Sequence, residues 1–231
     1  MENEIIEGFI QAFILIFTFD QEIWEIIFLS VRVSGSATFL AAVIALPIGS
    51  YLGLREFRAK KPISNLINTF MGFPPVVMGL IIFLLLSRSG PFGSFGMLYT
   101  TTAMLIAQFL LAVPIIIGTT KAAIESVDPA LKETVLSLGS TEGQMWWELI
   151  KESKKSIIAG ILIAFGQAIS EVGAVMIVGG NIRWHTRTFT TAIVLQTRMG
   201  EFGMAIALGL VLIIITFIIN YTLTHLQTRN D

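Results

Sequence analysis

Five apolar runs, each long enough to cross a lipid bilayer, constrain this chain more than any other feature. A helix needs about 20 apolar residues to traverse the hydrocarbon core. Runs near residues 24–53, 64–87, 98–120, 156–180 and 203–226 meet that length. Charged residues make up 13% of the chain and hydrophobic ones 54%, whereas a soluble domain carries about 25% charged residues. There is too little polar surface to coat a globule in water. The expected class is all-α, a polytopic membrane protein of about five transmembrane helices.

Residues 5–19 differ from the five runs. Ile6, Ile10, Phe13 and Phe17 recur at helical spacing, with Glu4, Glu7 and Gln11 between them. The unbroken apolar stretch, Ala12 to Phe17, is short. It fits an amphipathic helix at the membrane interface; a short sixth span is the alternative. The chain then divides into an N-terminal interfacial helix, 1–22, and a membrane domain, 23–231. The opening MENEIIEG is acidic, so no cleaved leader is expected.

Loop charges orient the spans. Arg55, Arg58, Lys60 and Lys61 lie between the first and second runs. Lys121, Lys132, Lys151, Lys154 and Lys155 lie between the third and fourth, and Arg229 is in the tail. The alternate loops hold Arg88, Arg183, Arg187 and Arg198. Basic residues favour the cytoplasmic side, which places the N-terminus outside and the C-terminus inside. An odd number of spans gives the same result.

Within the spans, Pro47, Pro74, Pro75 and Pro114 interrupt backbone hydrogen bonding, and closely spaced glycines permit tight helix packing. The connection from about 121 to 156 is too long and polar for a passive turn. Asp128 can cap a helix that starts at Pro129, and Gly139 can end it in a left-handed turn. Ser140 or Thr141 can start a second short helix containing Met145, Trp146, Leu149 and Ile150. Two short helices joined at a glycine would offer an apolar face to a partner.

That loop resembles the one found in permeases of ABC importers. Their motif runs Glu-Ala-Ala, three residues, Gly, nine residues, then Ile-x-Leu-Pro. Here Glu133, Thr134 and Val135 stand for the first three, Gly139 for the glycine and Leu149 for the isoleucine. Lys151-Glu152 replaces the Leu-Pro pair, a departure at the loop's exit. The run from Met71 to Thr100 and the segment from Gly179 to Gly200 resemble the tungstate-type branch. Ser170-Glu171-Val172-Gly173-Ala174 resembles a run of molybdate permeases. The resemblance implies a type I importer domain whose 121–156 loop docks on a cytoplasmic ATPase. It also implies a homodimer of this chain, an extracytoplasmic oxyanion-binding protein and residence in the inner membrane. ATP would bind the partner subunit, since no GxxxxGK[ST] loop is present. No cofactor is implied in this chain, and a net charge of −1 gives no sign of a nucleic-acid partner.

Two charges fall inside predicted spans, Arg32 and Glu171. Such charges are costly and are either paired or functional. One reading is a polar tether between them; the other is that Arg32 helps an oxyanion through while Glu171 holds it. Arg183 and Arg187 mark the candidate outer mouth, either as a solvated rim or as a cationic attraction for the anion. A stand-alone carrier would need internal repeats, and none is visible. A membrane enzyme would need clustered His and carboxylates, but His185 and His225 lie far apart with no HExxH spacing. Absence of cysteine excludes thiol chemistry and disulfides.

Overall fold

The computed structural model describes residues 2–228. Among them the regular structure is helical throughout. Its helices are α1 (Glu2–Phe17), α2 (Gln21–Leu54), α3 (Lys60–Met71), α4 (Pro75–Leu86), α5 (Thr101–Glu125), α6 (Pro129–Ser137), α7 (Glu142–Ile169), α8 (Gly173–Gly179), α9 (Phe189–Met199) and α10 (Phe202–Thr228). A single 3-10 turn, Gly93–Phe95, lies between α4 and α5. The helices α2, α5 and α10 are each long and apolar enough to span a membrane. The other two expected spans are broken. The α3–α4 pair bends by 93° and the α7–α8 pair by 56°.

Both breaks have local causes. Proline disfavours a helical conformation in the residue before it. Phe73 precedes Pro74, and Pro74 itself precedes Pro75, so the chain must leave α3 before α4 begins. Pro74 is extended, with ψ 119°. At the second break, α7 ends at Ile169, Ser170 caps it and Glu171 folds back, its Oε1 accepting from the Ala174 amide at 3.0 Å. The carbonyls exposed there find protein donors. Gln108 Nε2 donates to Ala168 O at 2.9 Å and Thr190 Oγ1 to Glu171 O at 2.7 Å. Broken helices inside a bilayer require such compensation.

The two breaks meet. A Cβ built on Gly79 of α4 would sit 2.6 Å from the Ala174 Cα of α8, so those backbones touch. Overpacking a close approach costs about 1–3 kcal/mol. Gly79→Val is therefore expected to destabilise the chain by about 2 kcal/mol, measurable as a lower thermal midpoint in detergent. An unchanged midpoint would mean that the backbones yield freely.

Helix α5 forms the centre and is buried along its length, from Ala103 to Ile124. It packs on α2 through Gly49 and Gly53, where added Cβ atoms would lie 2.8 Å from Thr120 Cβ and 2.9 Å from Ile124 Cβ. Along α2, Ser30 and Thr38 donate to carbonyls one turn back at 2.7 and 2.8 Å, so their hydroxyls stay satisfied in apolar surroundings.

Helix α1 is seated on α10. Gly8 meets Ile206, and Gln11 lies over Gly203. Ala12 shares an apolar cluster with Ile23, Ile26, Phe189 and Leu208. The opposite face of α1, including Ile10, Phe13 and Phe17, is exposed. With 16 residues, α1 is about 24 Å long, less than the roughly 30 Å hydrocarbon core. Helix α9 was not expected from hydropathy. It buries Thr190, Thr191 and Gln196 beside Phe189.

Candidate functional site

The connection between α5 and α7 forms an elbow. Asp128 Oδ1 accepts from the Ala130 amide at 2.8 Å, with Pro129 in the first helical position. These two residues start α6. Gly139 then adopts φ +79°, a left-handed conformation costly for other L-residues. Thr141 and Gln144 form a reciprocal cap that starts α7, with Thr141 N donating to Gln144 Oε1 at 2.9 Å.

The second arm corrects the sequence expectation. It is not a second short helix but the start of a long one. Helix α7 runs unbroken for 28 residues, from Glu142 to Ile169. No glycine or proline occurs between Gln144 and Ala159, and the Lys/Glu stretch there consists of good helix formers. The Lys151-Glu152 pair, in place of Leu-Pro, allows the arm to continue into the bundle.

The structure separates the residues matched to the loop motif. Glu133 and Thr134 are exposed on α6, and Val135 is half-buried toward Glu148 and Lys151 of α7. Leu138 at the tip is 81% exposed and Trp147 60% exposed. No side chain of α6 is buried. Leu149 is different. It is only 8% exposed, so it packs inside the molecule and is unavailable to a partner in this conformation. The exposed apolar edge therefore centres on Leu136 and Leu138. An apolar edge of this kind marks a contact surface.

Charged groups gather around the elbow. Lys60 Nζ lies 2.7 Å from Glu56 Oε1 and 2.8 Å from Glu125 Oε1, while Lys121 reaches Glu125 Oε2 at 2.9 Å. This network joins the start of α3 to the end of α5. Arg55, just beyond α2, stands 4.5 Å over the Trp146 ring.

The intramembrane charges do not form the expected tether. Among the described residues Arg32 makes no ion pair and is exposed on α2, whereas Glu171 caps α8. At the opposite end from the elbow, Arg183 Nη2 lies 2.6 Å from Glu22 Oε2 and Arg187 Nη1 lies 2.8 Å from Glu22 Oε1. One carboxylate is gripped by two guanidinium groups, and the Glu22 and Arg187 side chains are 13% and 12% exposed. Both arginines are therefore paired with Glu22, while the Arg183 side chain stays 57% exposed. Sequence reasoning missed Glu22. The available signal was an acidic residue in the first turn of a long helix, but its partners lie 161 and 165 positions away.

This arrangement of helices is found in known proteins. Residues 45–231 match the family described as binding-protein-dependent transport system inner membrane component. The tungstate uptake system permease protein TupB of Peptoclostridium acidaminophilum is 44% identical, covering 96% of this chain and 98% of that protein. TupB of Campylobacter jejuni is 39% identical, covering 97% and 94%. In three dimensions, the MetNI methionine ABC transporter in an inward-facing conformation superposes with a TM-score of 0.71 at 17% identity, over 94% of this chain and 98% of that one. The chain therefore belongs to the binding-protein-dependent inner membrane components, the membrane-spanning permeases of ABC importers.

Proposed function

We propose that this chain carries tungstate across the inner membrane as one of two identical permease subunits, driven by a separate pair of ATPases and supplied by an extracytoplasmic binding protein. The observation that carries this reading is the 44% identity with a tungstate permease over 96% of the chain. The elbow supports the energy coupling. Glu133, Thr134 and the Leu136–Leu138 edge are free to enter a cleft on the ATPase, and Val135 steadies α6 against α7. In this reading the N-terminus lies outside and the C-terminus inside; the gathering of Arg55, Lys60, Lys121 and Lys132 at the elbow end supports it.

The mechanism is alternating access, a two-state equilibrium biased by nucleotide on the partner. ATP closure draws the two elbows together. Helix α7 is about 42 Å long, and it carries that displacement from the elbow to the break at Ser170–Val172. There α8 packs directly on α4, so movement at the elbow reaches the contact between the two broken spans. Arg32 is exposed on α2, and in this reading its charge faces the path and lowers the barrier for a dianion in a low-dielectric medium.

The test is reconstitution of this chain with its ATPase and binding protein in liposomes. Tungstate should accumulate only with ATP, and excess sulfate should not compete. Tungstate and molybdate are tetrahedral dianions of nearly equal size, so molybdate should compete in part. Uptake without the ATPase, or preference for sulfate, would contradict the proposal.

A further inference from the structure

We infer that Arg55 braces the overhanging start of α7 and passes elbow movement into α2, a role that rests on the elbow being the ATPase dock. The outer part of the elbow has little other support. Of residues 142–148 only Met145 is buried, and α6 buries no side chain. A cleft of about 240 Å³ separates these arms from the end of α2, between Leu54, Lys132, Leu136 and Met145. Arg55 crosses it. Its guanidinium stacks 4.5 Å above the Trp146 ring and lies 3.9 Å from Glu142 Oε2. Glu142 is 77% exposed, so that ion pair contributes little. The stack on the half-buried Trp146 is the main hold.

The anchorage of Arg55 suits a load. Its backbone is extended, and its amide donates to Tyr51 O at 3.1 Å, which fixes it to the last turn of α2. Gly49 and Gly53 lock that part of α2 to α5. Glu56 pairs with Lys60, which also holds Glu125 at the end of α5. A push on Trp146 therefore reaches α2 and α5 together. Without Arg55, the first two turns of α7 can swing across the cleft and dissipate the movement. Arg55 and Trp146 are positioning residues, acting through the elbow.

The experiment compares the wild-type complex with Arg55→Ala, Trp146→Ala and the double variant in liposomes, recording ATP hydrolysed per tungstate moved. A cation–aromatic contact of this kind predicts a rise of about threefold or more in each single variant. The double variant should be no worse than either single, and Trp146→Phe, which keeps a ring, should stay near wild type. The chain lacks cysteine, so spin labels at Arg58→Cys and Gly143→Cys report the brace directly. Their distance distribution should be narrow in the otherwise wild-type chain and broad with Trp146→Ala. Unchanged ratios, effects that multiply in the double variant, or equal distributions would overturn the brace. Absence of ATP-driven uptake by the wild type would instead overturn the functional reading, and this inference with it.

Discussion

Valine at position 139 is expected to reduce ATP-driven uptake by about tenfold or more while leaving membrane insertion intact. Gly139 has φ +79°, and a Cβ there would meet nothing within 4 Å. The penalty is therefore conformational. A left-handed backbone costs a non-glycine residue about 1–2 kcal/mol, and a β-branched residue fits it worst. The chain has an easy escape, because no buried side chain of α6 holds that helix in place. The elbow should open and re-aim Leu136 and Leu138 relative to α7. Asparagine tolerates the left-handed region, so Gly139→Asn should retain most of the activity. Glu133→Lys tests the same surface without backbone strain, because Glu133 is exposed. It should also abolish coupling while the protein still inserts. Uptake assays, with co-purification of the ATPase, measure both. Normal transport by Gly139→Val and Glu133→Lys would mean that the elbow is not the driven surface.

Arg32→Ala should lower uptake by a similar factor, about tenfold, with an unchanged amount of protein in the membrane. Arg32 lies 11 residues into α2 from its start at Gln21, about 16 Å along the axis. A charge facing acyl chains at depth costs about 2.5–3.5 kcal/mol on insertion scales. Arg32 is exposed and makes no ion pair among the described residues. Its face of α2 must then turn to water or to a protein partner, such as the proposed second copy, and Ser36, one turn further on, is exposed as well. In a pair of these chains, two such arginines would flank the path of the anion. Arg32→Lys keeps the charge but loses the planar fork, so it should give intermediate uptake. If uptake and membrane level fell together in Arg32→Ala, the arginine would be holding the bundle instead.

The architecture was legible where composition alone decides it. Bilayer thickness sets the length of an apolar run, so α2, α5 and α10 could be found without knowing their neighbours. Direction was not legible. Pro74 and Pro75 signalled an interruption, but hydropathy records no angle, and the 93° turn between α3 and α4 appeared as one run from 64 to 87. The start of α7 was hidden for a related reason. Its first turns carry Glu148, Lys151, Glu152, Lys154 and Lys155, so a polar loop and a polar helix were hard to separate. Helix α9 escaped because its buried face uses threonine and glutamine. Thr191 Oγ1 accepts from the Thr188 amide at 2.9 Å, and Ser30 Oγ accepts from the Phe189 amide at 2.9 Å. The second pair, 159 positions apart, becomes visible only when distant segments meet.

The elbow was the most legible part of the candidate site. Asp128, Pro129, Gly139 and Thr141 act through local backbone chemistry, and each took the role that its residue type favours. Residues defined by tertiary contact were not legible. Leu149 matched a motif position but turned inward, and Arg183 and Arg187 were already held by Glu22. Arg55 gave no sequence signal beyond its charge.

The most direct measurement uses one cysteine at the tip of the elbow. Leu138 is 81% exposed and the chain has no cysteine of its own, so Leu138→Cys supplies a single reactive thiol. In sealed cells a membrane-impermeant maleimide should leave it unmodified. After permeabilisation it should react, and bound ATPase should shield it. Modification of Leu138→Cys in intact cells would put the elbow outside, and no cytoplasmic ATPase could then drive it.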